Sequence, residues 1–167
     1  LYLTGDGTFA SSSPWYQSYL DYALSQGILD AAPADMNAKL TRQEFASILA
    51  NALPDSALLE INNVSDGSIP DVYRSDTGIY RLYRAGILSG YDDQGTFRPN
   101  SPITRAEVTA ITNRLLDRAA DEDYVDDHAG ELRQFPDVSA SYWAYHDIVE
   151  ATNAHSYRVY DGEEHWM

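Results

Sequence analysis

Gly90-Tyr91-Asp92-Asp93-Gln94-Gly95-Thr96-Phe97-Arg98-Pro99-Asn100-Ser101-Pro102-Ile103-Thr104-Arg105-Ala106-Glu107 carries two local signals in series. Its first half is dense in Gly, Asp and Asn, residues that accept turn conformations or hydrogen-bond their own backbone. Pro99 and Pro102 interrupt strand pairing, so this half reads as a loop. In the second half Thr104 is followed three residues later by Glu107, the reciprocal pair that satisfies exposed amides at a helix start. Beyond it Val108, Ile111, Leu115 and Leu116 recur at helical spacing, which predicts a helix near Arg105 to Arg118 with that face buried.

The same signals recur upstream. Leu40-Thr41-Arg42-Gln43-Glu44-Phe45 matches Ile103-Thr104-Arg105-Ala106-Glu107-Val108 and predicts a helix near Arg42 to Ala52, burying Phe45, Ile48, Leu49, Ala52 and Leu53. Another helix precedes each of these starts. Trp15, Tyr16, Tyr19, Leu20, Ala23 and Leu24 form one apolar stripe ahead of Gly27-Ile28-Leu29, and Ile79, Leu82 and Tyr83 form another ahead of Gly86-Ile87-Leu88. Each glycine supplies the left-handed residue that stops a helix, which places first helices near Trp15 to Gln26 and Gly78 to Ala85. A third copy opens at Phe135-Pro136-Asp137-Val138, with Tyr142-Trp143-Ala144 and Ile148 in register, and predicts a helix near Trp143 to Ala154.

The period is roughly 60 residues, as in tandem-repeat architectures. The expected organisation is repeat one at 1–60, repeat two at 61–120, an acidic linker at 121–134 and a partial repeat three at 135–167. The tail from Tyr157 to Met167 is polar. It is expected to be loosely packed, or held against repeat one by Tyr157, Tyr160 and Trp166.

The 26 acidic residues outnumber the 11 basic ones and leave a net charge of −15. A nucleic-acid partner is excluded on that ground, because such proteins need a basic face to displace counterions. No apolar run reaches the roughly 18 to 20 residues that cross a bilayer, so no transmembrane segment is expected. With no cysteine in the chain, disulfides and thiolate chemistry are out of reach. The start of the chain has neither an initiator Met nor the features of a signal peptide, which points to a processed or excised fragment and to possible fusion with other domains.

Four histidines (His128, His146, His155, His165) stand among polar neighbours without paired metal-ligand spacing and are expected at the solvated surface. Asp92-Asp93-Gln94-Gly95 lacks the alternating ligands of a calcium loop, and calcium at the acidic linker stays open. No motif singles out a nucleophile or a carboxylate pair, so the chain is not expected to be an enzyme; no catalytic residue, metal or cofactor is expected.

The Gly-Tyr…Gly-Thr-Phe-Arg-Pro loop with its Thr-Arg-Ala-Glu helix start resembles the S-layer homology (SLH) family. That resemblance implies a mainly α fold of tandem helix-loop-helix repeats, in a pseudo-threefold arrangement around a central helical bundle. It also implies a role and a place: noncovalent anchoring of an exported bacterial protein to the cell wall, at the cell surface. The implied partner is a secondary cell wall polysaccharide, often one bearing ketal-linked pyruvate. Carried over by motif, the ligand-binding residues are Arg105, Arg42, Trp15, Trp143, Gly90, Tyr91 and Asp93, while Thr41, Glu44, Thr104 and Glu107 are helix caps.

An arginine beside free amides at a helix N-terminus suits an acidic sugar. Arg105 is expected to be the main contact and Arg42 the lesser. Trp15 and Trp143 are expected first in the inter-helix core and second as sugar platforms. The copies depart from the family pattern: Asp30 to Lys39 replaces the loop in repeat one, Arg74 stands where repeat two should have Trp, and His155 stands at the glycine of repeat three. Asp6-Gly7-Thr8-Phe9 echoes the loop motif without a following Thr-Arg segment. The alternatives are a degenerate array acting only as a structural or protein-interaction domain and, more distantly, a wall-active hydrolase.

Overall fold

A computed structural model describes residues 11–167. Asp6-Gly7-Thr8-Phe9 lies outside them. The described residues are mainly α, with six α-helices and one short β-hairpin. The chain divides into two compact units, one ending at Ile103 and the other beginning at Thr104. This division cuts through repeat two.

The first unit contains α1 (Gln17–Ser25), α2 (Arg42–Ala52) and α3 (Thr77–Arg84). At the start of α2 the Thr41 side chain accepts from the Glu44 amide, and Glu44 accepts from the Thr41 amide at 2.8 Å. The reciprocal cap therefore forms, and α2 begins and ends where the sequence places it. α2 packs on α3.

Leu49 and Leu53 are buried as expected, but Arg42, Ala46 and Ala50 complete the buried face in place of Phe45, Ile48 and Ala52, which are half-buried. Small residues let the helices approach closely: a Cβ on Gly78 would lie 3.2 Å from that of Ala50. From α3 come Ile79, Tyr80, Leu82 and Tyr83, all buried.

α1 corrects the expected apolar stripe, since none of its residues is buried. Trp15, just ahead of it, is 77% exposed. Its ring packs edge-on against Tyr16 and Tyr19, at centroid distances of 5.8 and 6.4 Å. Gly27 and Gly86 do adopt the left-handed conformation, with φ of 67° and 72°.

The second unit contains α4 (Arg105–Leu115), α5 (Glu122–Asp127), α6 (Tyr145–Thr152), β1 (Tyr157–Tyr160) and β2 (Glu163–Trp166). Thr104 and Glu107 form the second reciprocal cap. α4 packs on α6, and the buried Asn113 donates to the Asp147 carbonyl at 2.9 Å. α4 ends sooner than expected and leaves Leu116 exposed, because Asp117 turns the chain at φ 53°.

Two further expectations are overturned in this unit. The segment at 121–134 is no linker: Asp121 caps α5 by accepting from the Tyr124 amide at 3.0 Å, and Val125 is fully buried with Tyr145, Val149 and Trp166. Acidic residues fill the exposed positions of this short helix and mask its single inward valine. The tail is neither loose nor held by all three aromatics. It forms an antiparallel hairpin in register Tyr157↔Trp166 to Tyr160↔Glu163, turned at Asp161 and Gly162, whose φ values are 58° and 83°. Side chains alternate across a strand, so β2 sends Glu164 and Trp166 inward; on β1 both Tyr157, paired with Trp166, and Tyr160 are exposed.

Candidate functional site

The loop at 90–98 is built by its own polar residues. Asp92 accepts from the amides of Gln94 at 3.2 Å and Thr96 at 3.0 Å and from the Thr96 hydroxyl, which holds its carboxyl below the usual range. The Tyr91 amide donates to the Thr96 carbonyl at 2.7 Å. Gly90 is required by this closure, since a Cβ there would lie 3.0 Å from the Gly95 backbone.

Asp71 clamps the far end of the loop by accepting from the amides of Phe97 at 2.8 Å and Arg98 at 2.7 Å. The clamp holds Arg98 at φ 59°, a conformation that costs a non-glycine residue about 1–2 kcal/mol. Asp71 was not among the expected site residues. The signal was present, because Ile69-Pro70-Asp71-Val72 repeats the form of Phe135-Pro136-Asp137-Val138.

Arg42 lies under this loop. Its Nε donates to the Phe97 carbonyl at 2.6 Å, and its guanidinium stacks on the Phe97 ring at 4.7 Å and faces the Tyr91 ring at 5.7 Å. It is only 6% exposed. Backbone bonds join the same two segments: the amides of Arg42 and Gln43 donate to Ser101 and Pro99 at 2.9 and 3.0 Å. The loop of repeat two thus folds over the helix start of repeat one. Phe97 is itself fully buried edge-on against Tyr83, whose hydroxyl burial pushes up to about 12.

Outside this core an aromatic and cationic surface remains. Tyr91 is 52% exposed, with the Arg98 guanidinium stacked on its ring at 3.8 Å and Asp92 3.5 Å from that cation. Asp93 is exposed beside it. Tyr91, Asp93 and Gly90 are therefore brought together with Arg42.

Trp15 and Trp143 are not core residues, which corrects their first expected role. Trp143 is 59% exposed and leans on Tyr142 at 5.9 Å. In the second unit Arg105 is exposed on the first turn of α4. The expectation of four solvated histidines fails at His155, whose side chain is 8% exposed within a cluster of Arg118, Glu150 and Glu164. Its partners lie up to 37 residues away in sequence, so no local spacing could announce it.

Residues 68–109 match the family model of the S-layer homology domain. Over 166 residues the chain is 32% identical to cell surface glycoprotein 1 of Acetivibrio thermocellus, covering 92% of this chain and 7% of that protein. It is 30% identical over 152 residues to the cellulosome-anchoring protein of the same organism, covering 88% of this chain and 32% of that one. A third relative, an amylopullulanase of Thermoanaerobacterium thermosulfurigenes, is 28% identical over 82% of this chain and 7% of its own length. The chain thus spans a minor part of each relative. No solved structure matches it. Motif, loop closure and family match coincide on one segment, residues 68–109, which is where this chain is similar to the S-layer homology domain.

Proposed function

We propose that this chain anchors a larger exported protein to the bacterial cell wall by binding an acidic secondary wall polysaccharide, one whose charge is carried by pyruvate ketals. The observation that carries the reading is a coincidence of position. The residues that match the family model also build the exposed Tyr91–Arg98 surface and contain the exposed Arg105. The names of the relatives, a cell surface glycoprotein and a cellulosome-anchoring protein, support a non-catalytic role at the cell surface.

Each unit supplies its own contact. In the first, Tyr91 offers a ring face to a sugar and Arg98 a cation to its carboxylate, with Arg42 holding the loop beneath them. In the second, Arg105 presents a planar fork at the positive end of α4. Trp15 and Trp143 are exposed enough to stack on further sugar rings. With a net charge of −15 the chain repels a polyanion at long range, and salt screens that repulsion beyond about 8 Å. Local arginine contacts then decide binding.

Retention on purified wall polysaccharide, with and without its pyruvate and at matched salt, tests this. Loss of retention on depyruvylation is expected. Arg105→Ala should weaken binding roughly tenfold to a hundredfold with the fold unchanged. Equal binding to both polymers would sink the pyruvate reading. The burial of Arg42 favours a second reading, an array whose motif residues serve structure alone, and failure to retain either polymer would select it.

A further inference from the structure

The second unit buries a charged cluster that glycan binding does not use. Glu150 and Glu164 have side chains only 3% and 4% exposed, and the His155 side chain lies between them. Arg118 reaches in from the edge. Its Nε donates to Glu164 Oε2 at 2.9 Å, and its Nη2 approaches Glu164 Oε1 at 3.0 Å, Glu150 Oε1 at 2.6 Å and His155 Nε2 at 2.8 Å.

The hydrogen bonds fix the orientation of the imidazole. The Asn153 carbonyl only accepts, so Nδ1 of His155 carries a proton and donates to it at 2.8 Å, while Nε2 points at Arg118 Nη2 and at the two carboxylates. The ring is further locked by stacking on Trp166 at 3.6 Å. Nε2 therefore faces two carboxylate oxygens, Glu164 Oε1 at 3.1 Å and Glu150 Oε2 at 3.5 Å. Glu150 Oε2 is buried and accepts no hydrogen bond.

Two carboxylates and an imidazole nitrogen thus converge on a single point that Arg118 Nη2 reaches from the edge. Gathering two carboxylates in a protein interior is costly unless cations oppose them.

We propose that Glu150, His155 and Glu164 form a binding site for one divalent transition-metal cation of the zinc class. One donor atom from each lies within 4.8 Å of the others. An imidazole nitrogen with two carboxylate oxygens suits zinc and its neighbours, whereas calcium and magnesium take oxygen alone. The supporting contacts are of the kind that orient metal ligands: Nδ1–H of His155 on a backbone carbonyl, and Glu164 Oε2 held by Arg118 Nε. On binding, Arg118 Nη2 yields its place among the three groups while Nε keeps Glu164 aligned. The metal would tie α6 to β2, elements on either side of the unit's core, so its role is to staple the fold rather than to catalyse.

The test is calorimetric titration of the whole chain with ZnCl₂ after chelator treatment, paired with thermal melting. One site per chain is expected, with a melting rise of roughly 5 to 10 °C at about 100-fold excess over Kd. Glu150→Gln and His155→Gln should each weaken binding at least about tenfold. Co²⁺ added to the unmodified chain should give a ligand-field absorption band, a readout that needs no variant to fold. Absence of both a stoichiometric heat and a cobalt band overturns the site. So does zinc binding that survives both substitutions, which would assign the metal to the acidic surface.

Discussion

Arg42 and Arg105 begin their helices within the same Thr-Arg-x-Glu pattern and finish in opposite environments. Each follows a threonine engaged in a reciprocal cap with a glutamate. Arg42 is buried beneath the loop at 90–98, whereas Arg105 is exposed. The cause lies in the following repeat. The loop that covers Arg42 comes from repeat two; at the corresponding place in repeat three, after α6, the chain folds into the β1–β2 hairpin and turns Glu164 and Trp166 into the core of the second unit. Each arginine thus depends on the next repeat for its cover. One Thr-Arg-x-Glu pattern is read by the fold as a structural cation in one unit and a surface cation in the other.

The largest effect should come from the hairpin that replaces the loop. Trp166 packs with Val125, Tyr145 and Val149 and stacks on His155. Trp166→Ala should cost about 3–5 kcal/mol, measured by urea unfolding. A cost below about 1 kcal/mol would show that the tail does not belong to the core, and the contrast between the units would lose its explanation.

Next come the arginines themselves. Arg42→Ala removes a charged hydrogen bond to the Phe97 carbonyl and the stacking on its ring, and should cost about 2–3 kcal/mol. Arg105→Ala, at an exposed position, should stay within about 0.5 kcal/mol. Equal costs would break the comparison. Asp71→Asn sharpens it, because a neutral amide accepts more weakly from the Phe97 and Arg98 amides and offers only one acceptor oxygen for the two. A loss of about 1–2 kcal/mol is expected, with the Arg98 resonance in NMR moving furthest.

What the sequence discloses follows from range. The caps at Thr41 and Thr104 and the left-handed stops at Gly27 and Gly86 depend on residues within one or two turns, and all form. The α6 helix was likewise readable from its own apolar spacing. The cover on Arg42 depends on Phe97, 55 residues away, and the partners of Arg118 include Glu164 at 46 residues. Nothing local records such pairings. The hairpin is an intermediate case: Asp161-Gly162 is a strong turn signal, yet Glu163-Glu164-His165-Trp166 after it carries a single apolar residue and shows no alternation that marks a strand. On α2 side-chain size misleads: Ala46 and Ala50 are buried while the larger Phe45 and Ile48 stay half-buried, and a Cβ on Gly78 of α3 would lie 3.2 Å from that of Ala50.

The smallest effect concerns what the two helix starts share. Thr41→Ala and Thr104→Ala should each cost about 1 kcal/mol, alike in both units, because a cap acts within its own first turn. The pH dependence at α2 carries the comparison further. The Thr41 amide, and then its hydroxyl, hold the Glu44 carboxyl below the usual glutamate value. A carboxyl lowered on folding stabilises the protein above its unfolded value and loses that contribution as pH falls through the folded one. The ionised carboxylate accepts from the Thr41 amide at 2.8 Å and from the hydroxyl at 2.7 Å, so protonation weakens both bonds. Thr41→Ala removes the hydroxyl that couples to that carboxylate. The stability gap between parent and Thr41→Ala should therefore be widest near neutral pH and narrow as pH drops through the carboxylate range, followed by urea midpoints at fixed salt. A gap that stays constant with pH would mean that the hydroxyl stabilises α2 without Glu44, and that the reciprocal bond at this helix start contributes nothing.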